Sequence, residues 1–341
     1  MYLAPNELHY LSVELTTKCN AACPMCSRFH GDWDKGHWET RHPNKEMPLS
    51  DLSIDAFKLA FDTSVLSNMK QFIFNGKLGD PLIHPKCLEF FKYIKDNSNA
   101  KVVVYTNGSL RSTNFWKSLA TYTDSVIFSI DGLEDTNHIY RQRTDFSKIM
   151  HNAKTFIASG GYAIWDYLVF AHNEHQVTTA KELADSIGFK KFEIRKTNRF
   201  KGNNDFHYTA IDGKEKIISI PSNKEYVHNY HESYLETQPQ TPNISCSFKN
   251  ANKMFLSFNG KLWPCSYISE YYPMNQSVID IVNEHGEDFN DISKNSIEQI
   301  LNHKYFKYIL EHSWKTGDKI SRECWKKCSV NHGNITEIKQ L

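Results

Sequence analysis

The chain has 341 residues, of which 40% are hydrophobic and 23% charged, and this composition predicts a globular protein with room for one large domain and one small one. Its 40 basic and 39 acidic residues give a net charge of +1, which argues against nucleic acid or a membrane surface as a partner. The sequence has no run of about 18 apolar residues and no signal-peptide pattern at its start, so a cytoplasmic location is expected.

The first 200 residues alternate between strand and helix patterns. Residues 9–17 alternate apolar with polar side chains and predict a strand that ends near the first cysteine. A polar, aromatic-rich connection follows over residues 27–48, and a helix is then predicted over residues 48–62 with Ser50 or Ser53 as its cap. The remaining predicted elements are strands at 70–75, 101–106, 124–130, 162–170 and 190–196, separated by helices at 84–97, 111–122, 146–158 and 175–188.

Strands and helices that alternate at a spacing of roughly 30 residues imply βαβ units, a parallel sheet and right-handed crossovers. Six such units form either a doubly wound sheet or most of a (β/α) barrel, and both folds bind ligands at the carboxyl ends of their strands. Four residues of types that often form functional sites follow directly after predicted strands: Cys19, Gly76, Asn107 and Asp131. A functional site is therefore predicted at that end of the sheet.

The second part of the chain departs from this alternation. Residues 200–245 are polar and end in a Pro-rich stretch, which indicates a connection or a partial cap. Residues 254–258 and 261–265 flank an Asn-Gly pair and predict a β-hairpin, and a helix is predicted over residues 296–312. The expected division is a barrel domain at 1–200, a connecting segment at 201–245 and a small α+β domain at 246–341.

Seven of the eight cysteines form two groups, whereas Cys87 lies alone on an amphipathic helix pattern that favours a buried core residue. The first group, Cys19-x3-Cys23-x2-Cys26, has three chemical interpretations in a reducing compartment. His30 could complete a zinc site, Cys23 and Cys26 have the spacing of a redox pair, and three thiolates could hold an iron–sulfur cluster with one open iron. The spacing alone leaves all three open.

Three further segments lie where predicted strands end: FNGKLGDPLIHP at 74–85, YTNGSL at 105–110 and FSIDGLEDTNHIYRQRTDFSKI at 128–149. In this order after the cysteine loop, they resemble the radical S-adenosylmethionine superfamily. Its members carry C-x3-C-x-aromatic-C after the first strand, and here Met25 takes the place of the aromatic residue. The first segment is similar to the family's Gly-Gly-Glu-Pro turn, with Asp80 in place of Glu.

The resemblance implies a partial (β/α)6 TIM-like barrel that holds a 4Fe–4S cluster through the first three cysteines, with S-adenosylmethionine bound to the open iron. Ser129 and Asp131 match positions that hydrogen-bond ribose hydroxyls, and Arg141 matches one that meets the methionyl carboxylate. In the glycine-rich turn, Lys77 and Leu78 depart from the common form of the family. The residues expected to bind this cofactor are Met25, Gly76, Gly79, Asp80, Ser129, Asp131, Arg141 and Asn173.

The second cysteine group consists of Cys246, Cys265, Cys324 and Cys328. Its opening C-x13-G-x4-C spacing resembles the SPASM/Twitch extension of many radical S-adenosylmethionine enzymes. A full SPASM domain has seven cysteines, so four fit the shorter Twitch form, which implies one auxiliary 4Fe–4S cluster with all ligands supplied by the protein. Zinc stays an alternative, because four thiolates, or a set that includes His332, suit it equally.

The resemblance implies an oxidoreductase-type radical enzyme, reduced by a low-potential donor such as flavodoxin or ferredoxin. A peptide or protein substrate is expected, with oxidation as the favoured outcome, although no N-terminal leader-binding domain is expected before the first strand. The alternative is a dehydrogenase of a small sugar or aminocyclitol, and a third hypothesis is a non-catalytic iron–sulfur or zinc protein. The connection with Trp33, His37 and Trp38 either shapes the pocket or is a surface loop.

Overall fold

The computed structural model describes residues 1–32, 37–200, 205–227, 242–270 and 275–329. Its strands, β1 to β12 in chain order, are Tyr10–Val13, Phe29–Asp32, His37–Pro43, Gln71–Phe74, Lys101–Thr106, Ser125–Ser129, Ala163–Leu168, Lys191–Arg195, Phe206–Thr209, Glu215–Ile218, Lys253–Leu256 and Leu262–Trp263. Its α-helices, α1 to α12, are Ile54–Ala60, Thr63–Leu66, Cys87–Asn97, Thr113–Tyr122, Asn137–Tyr140, Phe146–Ala158, Val177–Ile187, Ser247–Asn250, Gln276–His285, Ile297–Asn302, Leu310–Thr316 and Arg322–Cys328. Within these ranges no helix is long and apolar enough to cross a bilayer.

The main sheet has eight strands in the order β12-β11-β1-β4-β5-β6-β7-β8. Strands β1 and β4 to β8 run parallel, and they are the six strands that the sequence predicts. Helices α1, α3, α4, α6 and α7 fall within the segments predicted as helical. The α/β class and the partial barrel are confirmed, because each crossover returns the chain through a helix to the next parallel strand.

Alternation along the strands separates two faces of this sheet. Val104, Phe128 and Trp165 are fully buried against the helices, where Trp116 of α4 stacks on Phe128 with 5.3 Å between ring centroids. Burying one such side chain contributes on the order of 2–3 kcal/mol to stability. The opposite, inward face carries a smaller apolar cluster made of Val103, Ile127 and Ile164.

A local signal sets the start of α1. The Ser53 side chain accepts a hydrogen bond from the Ala56 N–H at 3.2 Å, so of the two predicted caps Ser53 is the one used. At the end of α7, Gly188 adopts a φ of +98°, a left-handed conformation that closes helices and favours glycine.

A second sheet, in the order β10-β9-β3-β2, forms where the sequence predicts only connections. Strands β2 and β3 pair antiparallel within the segment 27–48, and β3 then pairs in parallel with β9. Across that junction Thr40 Oγ1 donates to the Thr209 carbonyl oxygen at 3.0 Å, between residues 169 positions apart. Local periodicity does not reveal such a pairing, which explains the difference from the expected connection.

The predicted hairpin is confirmed and extends the main sheet. Strands β11 and β12 pair antiparallel, and Gly260 completes their turn with a φ of +79°. Strand β11 also pairs in parallel with β1. At the same edge the Tyr2 hydroxyl donates to the Pro264 carbonyl oxygen at 2.8 Å, so the beginning of the chain packs against the cysteine-rich C-terminal part.

Candidate cluster and cofactor site

The first cysteine loop begins after β1 and folds into a tight turn. The Cys26 N–H donates to the Cys23 carbonyl oxygen at 3.0 Å, and the Ala22 N–H donates to the Gln142 carbonyl oxygen at 3.0 Å. Burial, followed by the charge of Asp80, raises the pKa of the Cys19 thiol. Burial also raises the pKa of Cys23 to about 11, against the opposing effect of Arg141. Burial thus favours the neutral thiols of Cys19 and Cys23, and nearby positive charge acts in the opposite direction.

The glycine-rich turn lies directly against this loop. A Cβ atom on Gly79 would stand 2.0 Å from the Thr16 carbonyl oxygen and 2.9 Å from that of Lys18. A Cβ on Gly76 would stand 1.4 Å from the Gly79 carbonyl oxygen. Only glycine allows this approach of two backbones, and the Asp80 N–H then donates to the Lys18 carbonyl oxygen at 2.9 Å.

Asp80 joins the ends of β4 and β5. Its carboxylate accepts from Thr106 Oγ1 at 2.9 Å, from the Asn107 N–H at 2.8 Å and from Asn107 Nδ2 at 2.8 Å. Asn107 Nδ2 also lies 4.0 Å from the Cys19 sulfur. The Thr-Asn-Gly segment is thereby oriented toward the cysteine loop by a buried carboxylate.

Asp131 and Arg141 form a buried ion pair beside Cys23. Arg141 Nε lies 2.5 Å from Asp131 Oδ2, the Leu168 N–H donates to Asp131 Oδ1 at 2.8 Å, and Arg141 Nη1 lies 3.8 Å from the Cys23 sulfur. Burial raises the pKa of Asp131, and Arg141 opposes that effect. The structure therefore brings Cys23 to an ion pair that lies more than a hundred positions further along the chain.

Asn173 holds the carboxyl ends of β6 and β7 together. It is fully buried, its Nδ2 donates to the carbonyl oxygens of Asp131 at 2.9 Å and Leu168 at 3.0 Å, and its Oδ1 accepts from the Phe170 N–H at 2.7 Å. In this arrangement Asn173 positions the backbone of Asp131. Its assignment as a cofactor contact stays a prediction, as do those of half-buried Ser129 and of Met25, which is 1% exposed.

Arg199 is a site residue that the sequence analysis missed. Its Nη1 donates to the Met25 carbonyl oxygen at 2.9 Å. Burial lowers the pKa of its guanidinium, but the negative charges of Tyr140, Cys26 and Cys23 outweigh burial and raise that pKa. Arg199 thus provides positive charge beside the first cysteine group, as do Arg141 near Cys23 and Arg28 near Cys19. No sequence signal identifies Arg199, because it follows β8 in an irregular segment.

The sequence analysis also did not predict a polar cluster on the inward face of β7 and β8. Arg195 Nε lies 2.9 Å from Asp166 Oδ1, and its Nη2 lies 2.5 Å from Glu193 Oε2. Burial raises the pKa of Asp166 to about 6 and that of Tyr105 to about 12. The available signal was the placement of these charged residues at alternate positions of β7 and β8, facing away from the helices.

The second cysteine group is also brought together. The Ser245 N–H donates to the Cys328 carbonyl oxygen at 2.8 Å, and a hydrogen bond from the Cys328 thiol lowers the pKa of Cys246 to about 6. Burial and the charge of Cys246 raise the pKa of Cys265 to about 12. Burial and the charges of Cys265 and Cys246 likewise raise the pKa of Cys324. Each of the four thiols therefore lies in the electrostatic field of others.

Two buried tyrosines lie beside these four thiols. Among the described residues, no three side chains of His, Cys, Asp or Glu are placed as the ligands of one metal ion. The buried Tyr305 hydroxyl has no hydrogen-bond partner in the described ranges, and the charge of Cys324, after burial, raises its pKa. The Tyr2 hydroxyl lies 3.9 Å from the Cys246 sulfur. The Tyr305 hydroxyl is thus able to donate to a nearby sulfur, whereas the Tyr2 hydroxyl already donates to the Pro264 carbonyl oxygen.

Both histidines considered as zinc ligands lie outside the described part of the chain, His30 by its side chain and His332 entirely, and Trp33 lies outside it as well. Within the described part, the first site offers three thiols, the guanidinium groups of Arg28, Arg141 and Arg199, and no fourth thiol. That donor set matches a cluster with one iron left for another ligand.

No family model matches the chain. The tungsten-containing aldehyde ferredoxin oxidoreductase cofactor-modifying protein of Pyrococcus furiosus is 30% identical over 134 residues, which cover 39% of this chain and 33% of that protein. The probable GTP 3′,8-cyclase of Sulfurisphaera tokodaii is 23% identical over 272 residues, 75% of this chain and 80% of that protein. The structure of anSMEcpe with bound AdoMet and the Cp18Cys peptide superposes with a TM-score of 0.54 at 15% identity, covering 94% and 88% of the two chains.

The structural neighbour establishes a shared fold, and the two sequence relatives extend the likeness beyond the cysteine loop. The matched segment spans only a third of the length of the Pyrococcus protein. The chain therefore shares the fold of that AdoMet-bound structure and is similar over part of its length to the Pyrococcus and Sulfurisphaera proteins, which agrees with its resemblance to the radical S-adenosylmethionine superfamily.

Proposed function

We propose that this chain is an enzyme that binds a 4Fe–4S cluster through Cys19, Cys23 and Cys26 and cleaves S-adenosylmethionine reductively. The observation that carries the proposal is the meeting of these thiols with the Asp131–Arg141 pair at the carboxyl ends of the strands. When bound, the cluster and S-adenosylmethionine supply, with one electron from a donor such as flavodoxin or ferredoxin, a 5′-deoxyadenosyl radical that takes a hydrogen atom from the substrate.

Arg141 and Asp131 are proposed to exchange partners when S-adenosylmethionine binds. The guanidinium suits the methionyl carboxylate, and the carboxylate, with Ser129 beside it, suits the ribose hydroxyls. Since each group is already paired in the free chain, neither is an uncompensated buried charge before the ligand arrives. The other proposed contacts, direct or through the backbone they position, are Met25, Gly76, Gly79, Asp80 and Asn173.

The four C-terminal cysteines are proposed to hold an auxiliary 4Fe–4S cluster. Their mutual proximity and the nearby hydroxyls of Tyr2 and Tyr305 support this assignment. Such a cluster supplies a one-electron acceptor when bound. With it, loss of one hydrogen atom, one electron and one proton would leave the substrate oxidised by two electrons.

A peptide or protein is the favoured substrate. The support is the fold shared across most of the chain with anSMEcpe, whose structure contains a bound peptide. The inward cluster of Asp166, Glu193 and Arg195 would contact the substrate, because it lies on the strand face away from the helices and Arg195 remains 37% exposed. Two carboxylates against one guanidinium favour hydrogen-bond donors of the substrate.

A small-molecule substrate is the second candidate. The support is the similarity over 75% of this chain to the Sulfurisphaera protein, which by its name acts on GTP. In that case the same inward cluster would contact hydroxyl or amino groups of a nucleotide, a sugar or an aminocyclitol.

The test supplies the anaerobically reconstituted enzyme with S-adenosylmethionine, reductant and, separately, a cysteine-containing peptide, GTP or an aminocyclitol. A peptide that raises 5′-deoxyadenosine yield and loses two hydrogens by mass spectrometry supports the first candidate; stimulation by GTP or the aminocyclitol supports the second. An Asp166→Asn variant should lose this stimulation and keep the substrate-free yield. A 5′-deoxyadenosine yield that stays at the substrate-free level in all three additions would reject these substrate classes.

A further inference from the structure

The glycine-rich turn lies between the two cysteine groups and contacts both. On one side Ser27, next to Cys26, donates its hydroxyl to the Lys77 carbonyl oxygen at 2.9 Å. On the other side Lys77 Nζ lies 3.4 Å from the carbonyl oxygen of Ser266, next to Cys265. One residue therefore connects the neighbours of one thiol in each group.

The Lys77 ammonium is fixed by contacts with the loop that follows Cys265. It donates to Ser269 Oγ at 2.6 Å and to the Glu270 carbonyl oxygen at 2.5 Å, and it lies 5.4 Å from the centre of the Phe255 ring. Several directed contacts fix the position of this charge, whereas an exposed lysine would sample many rotamers.

Two buried acidic side chains lie near this ammonium and favour its charged form. Glu14 is fully buried, Glu270 is 5% exposed, and the charge of each raises the pKa of Lys77 against a lowering by burial, with about 8 as the outcome. The Glu270 carboxylate is itself held by Asn259 Nδ2 and Trp263 Nε1, each at 3.0 Å. Because a buried charge is tolerated when it is paired, these acidic groups oppose the loss of charge that burial favours at Lys77.

The charge of Lys77 also acts on Cys265. Burial raises the pKa of its thiol, and the charge of Lys77 acts in the opposite direction by stabilising the thiolate. A cluster on Cys265 would gain a further negative charge when reduced, and a fixed cation nearby stabilises the form with more negative charge. Lys77 is also one of the residues, with Leu78, that depart from the common form of the glycine-rich turn in the family that the sequence resembles.

We propose that Lys77 tunes the auxiliary cluster: its ammonium raises the midpoint reduction potential of a cluster held by Cys265 and its three companion cysteines. This inference rests on the proposed function, because it requires that cluster. Lys77 acts through space and through the loop it contacts, so it is a positioning residue and not a ligand.

The experiment is a redox titration followed by electron paramagnetic resonance, on reconstituted full-length protein whose iron and sulfide content has been measured. Lys77→Met and Lys77→Gln remove the charge, and the second keeps a polar end; Lys77→Arg keeps the charge. Each variant is compared with wild type at both clusters. The expected result is a lower midpoint potential of the auxiliary cluster in the Met and Gln variants, a near wild-type value in the Arg variant and an unchanged first cluster.

The possible outcomes distinguish a failure of this inference from a failure of the proposed function on which it rests. Iron for only one cluster in the wild-type protein would reject the auxiliary cluster itself. Two clusters in wild type with equal auxiliary potentials in the Gln variant and in wild type would overturn only the role of Lys77. Loss of the auxiliary cluster from all three variants, Arg included, would also overturn it, because the residue would then act by its shape.

Discussion

Asp131 and Arg141 illustrate how single charged residues hold the candidate site together. The Asp131 side chain is 1% exposed and that of Arg141 19%, and the same carboxylate also accepts the Leu168 N–H. A charge removed from such a pair leaves its partner buried and uncompensated, which costs far more than an exposed pair contributes.

Asp131→Asn is therefore expected to lower the free energy of unfolding by about 3–5 kcal/mol. Urea unfolding of the iron-free protein measures this. The matched control is Asp96→Asn, which breaks the exposed pair with Lys92 and should cost less than about 1 kcal/mol. Equal effects of the two substitutions would contradict a stabilising role for the buried pair.

Glu14 gives the stability of the protein a pH dependence. Burial raises its pKa from 4.5 to about 7, so between these values the folded chain holds a proton that the unfolded chain has released. Stability from this group is complete below pH 4.5 and falls as the pH rises toward 7, by about 3 kcal/mol. Glu14→Gln should remove this part of the decline in urea midpoints measured from pH 4.5 to 7. An unchanged slope in the variant would show that Glu14 is ionised throughout.

At the scale of elements, the glycine-rich turn depends on the absence of side chains. Gly79→Ala places a methyl group 2.0 Å from the Thr16 carbonyl oxygen, and backbone atoms cannot give way cheaply. We expect a loss of about 3 kcal/mol or more in unfolding free energy together with poor loading of iron. Gly213→Ala is the control, since nothing lies within 4 Å of its Cβ position and only its φ of +77° is strained. It should cost about 1 kcal/mol and keep normal iron content, and an equal loss in both variants would contradict the close approach.

The elements that the sequence predicts well are those with local signals. Strand alternation, the Ser53 cap and the Asn259-Gly260 turn each act within a few residues, and each has its counterpart in the structure. The second sheet depends on contacts such as that between Thr40 and Thr209, 169 positions apart. The cysteines could be found from spacing, whereas Arg199 and the contact of Lys77 with Ser269 could not, because folding alone brings them to the site.

At the scale of the whole molecule, the C-terminal part completes the main sheet. Strand β11 pairs with β1, and Tyr2 is fully buried beneath Pro264 and near Phe306. A chain ended at residue 245 would expose one edge of β1 and the apolar residues at its start. Exposed edges of this kind promote association.

We therefore expect a chain of residues 1–245 to aggregate or to lack native tertiary structure. Size-exclusion chromatography and near-ultraviolet circular dichroism measure this against the full chain. A monomeric fragment with native tertiary signals would contradict the dependence of the barrel on β11 and would support independent domains.

The central claim is that three thiols after the first strand support radical cleavage of S-adenosylmethionine. The most direct measurement is the amount of 5′-deoxyadenosine formed anaerobically by reconstituted, reduced protein, beside a Cys23→Ala variant and a Cys87→Ala control. Cys87 is a fully buried core residue of α3, outside both cysteine groups. The account predicts product from the wild type and the Cys87 variant and none above background from Cys23→Ala. Iron-replete wild type that forms no product with strong reductants would contradict it.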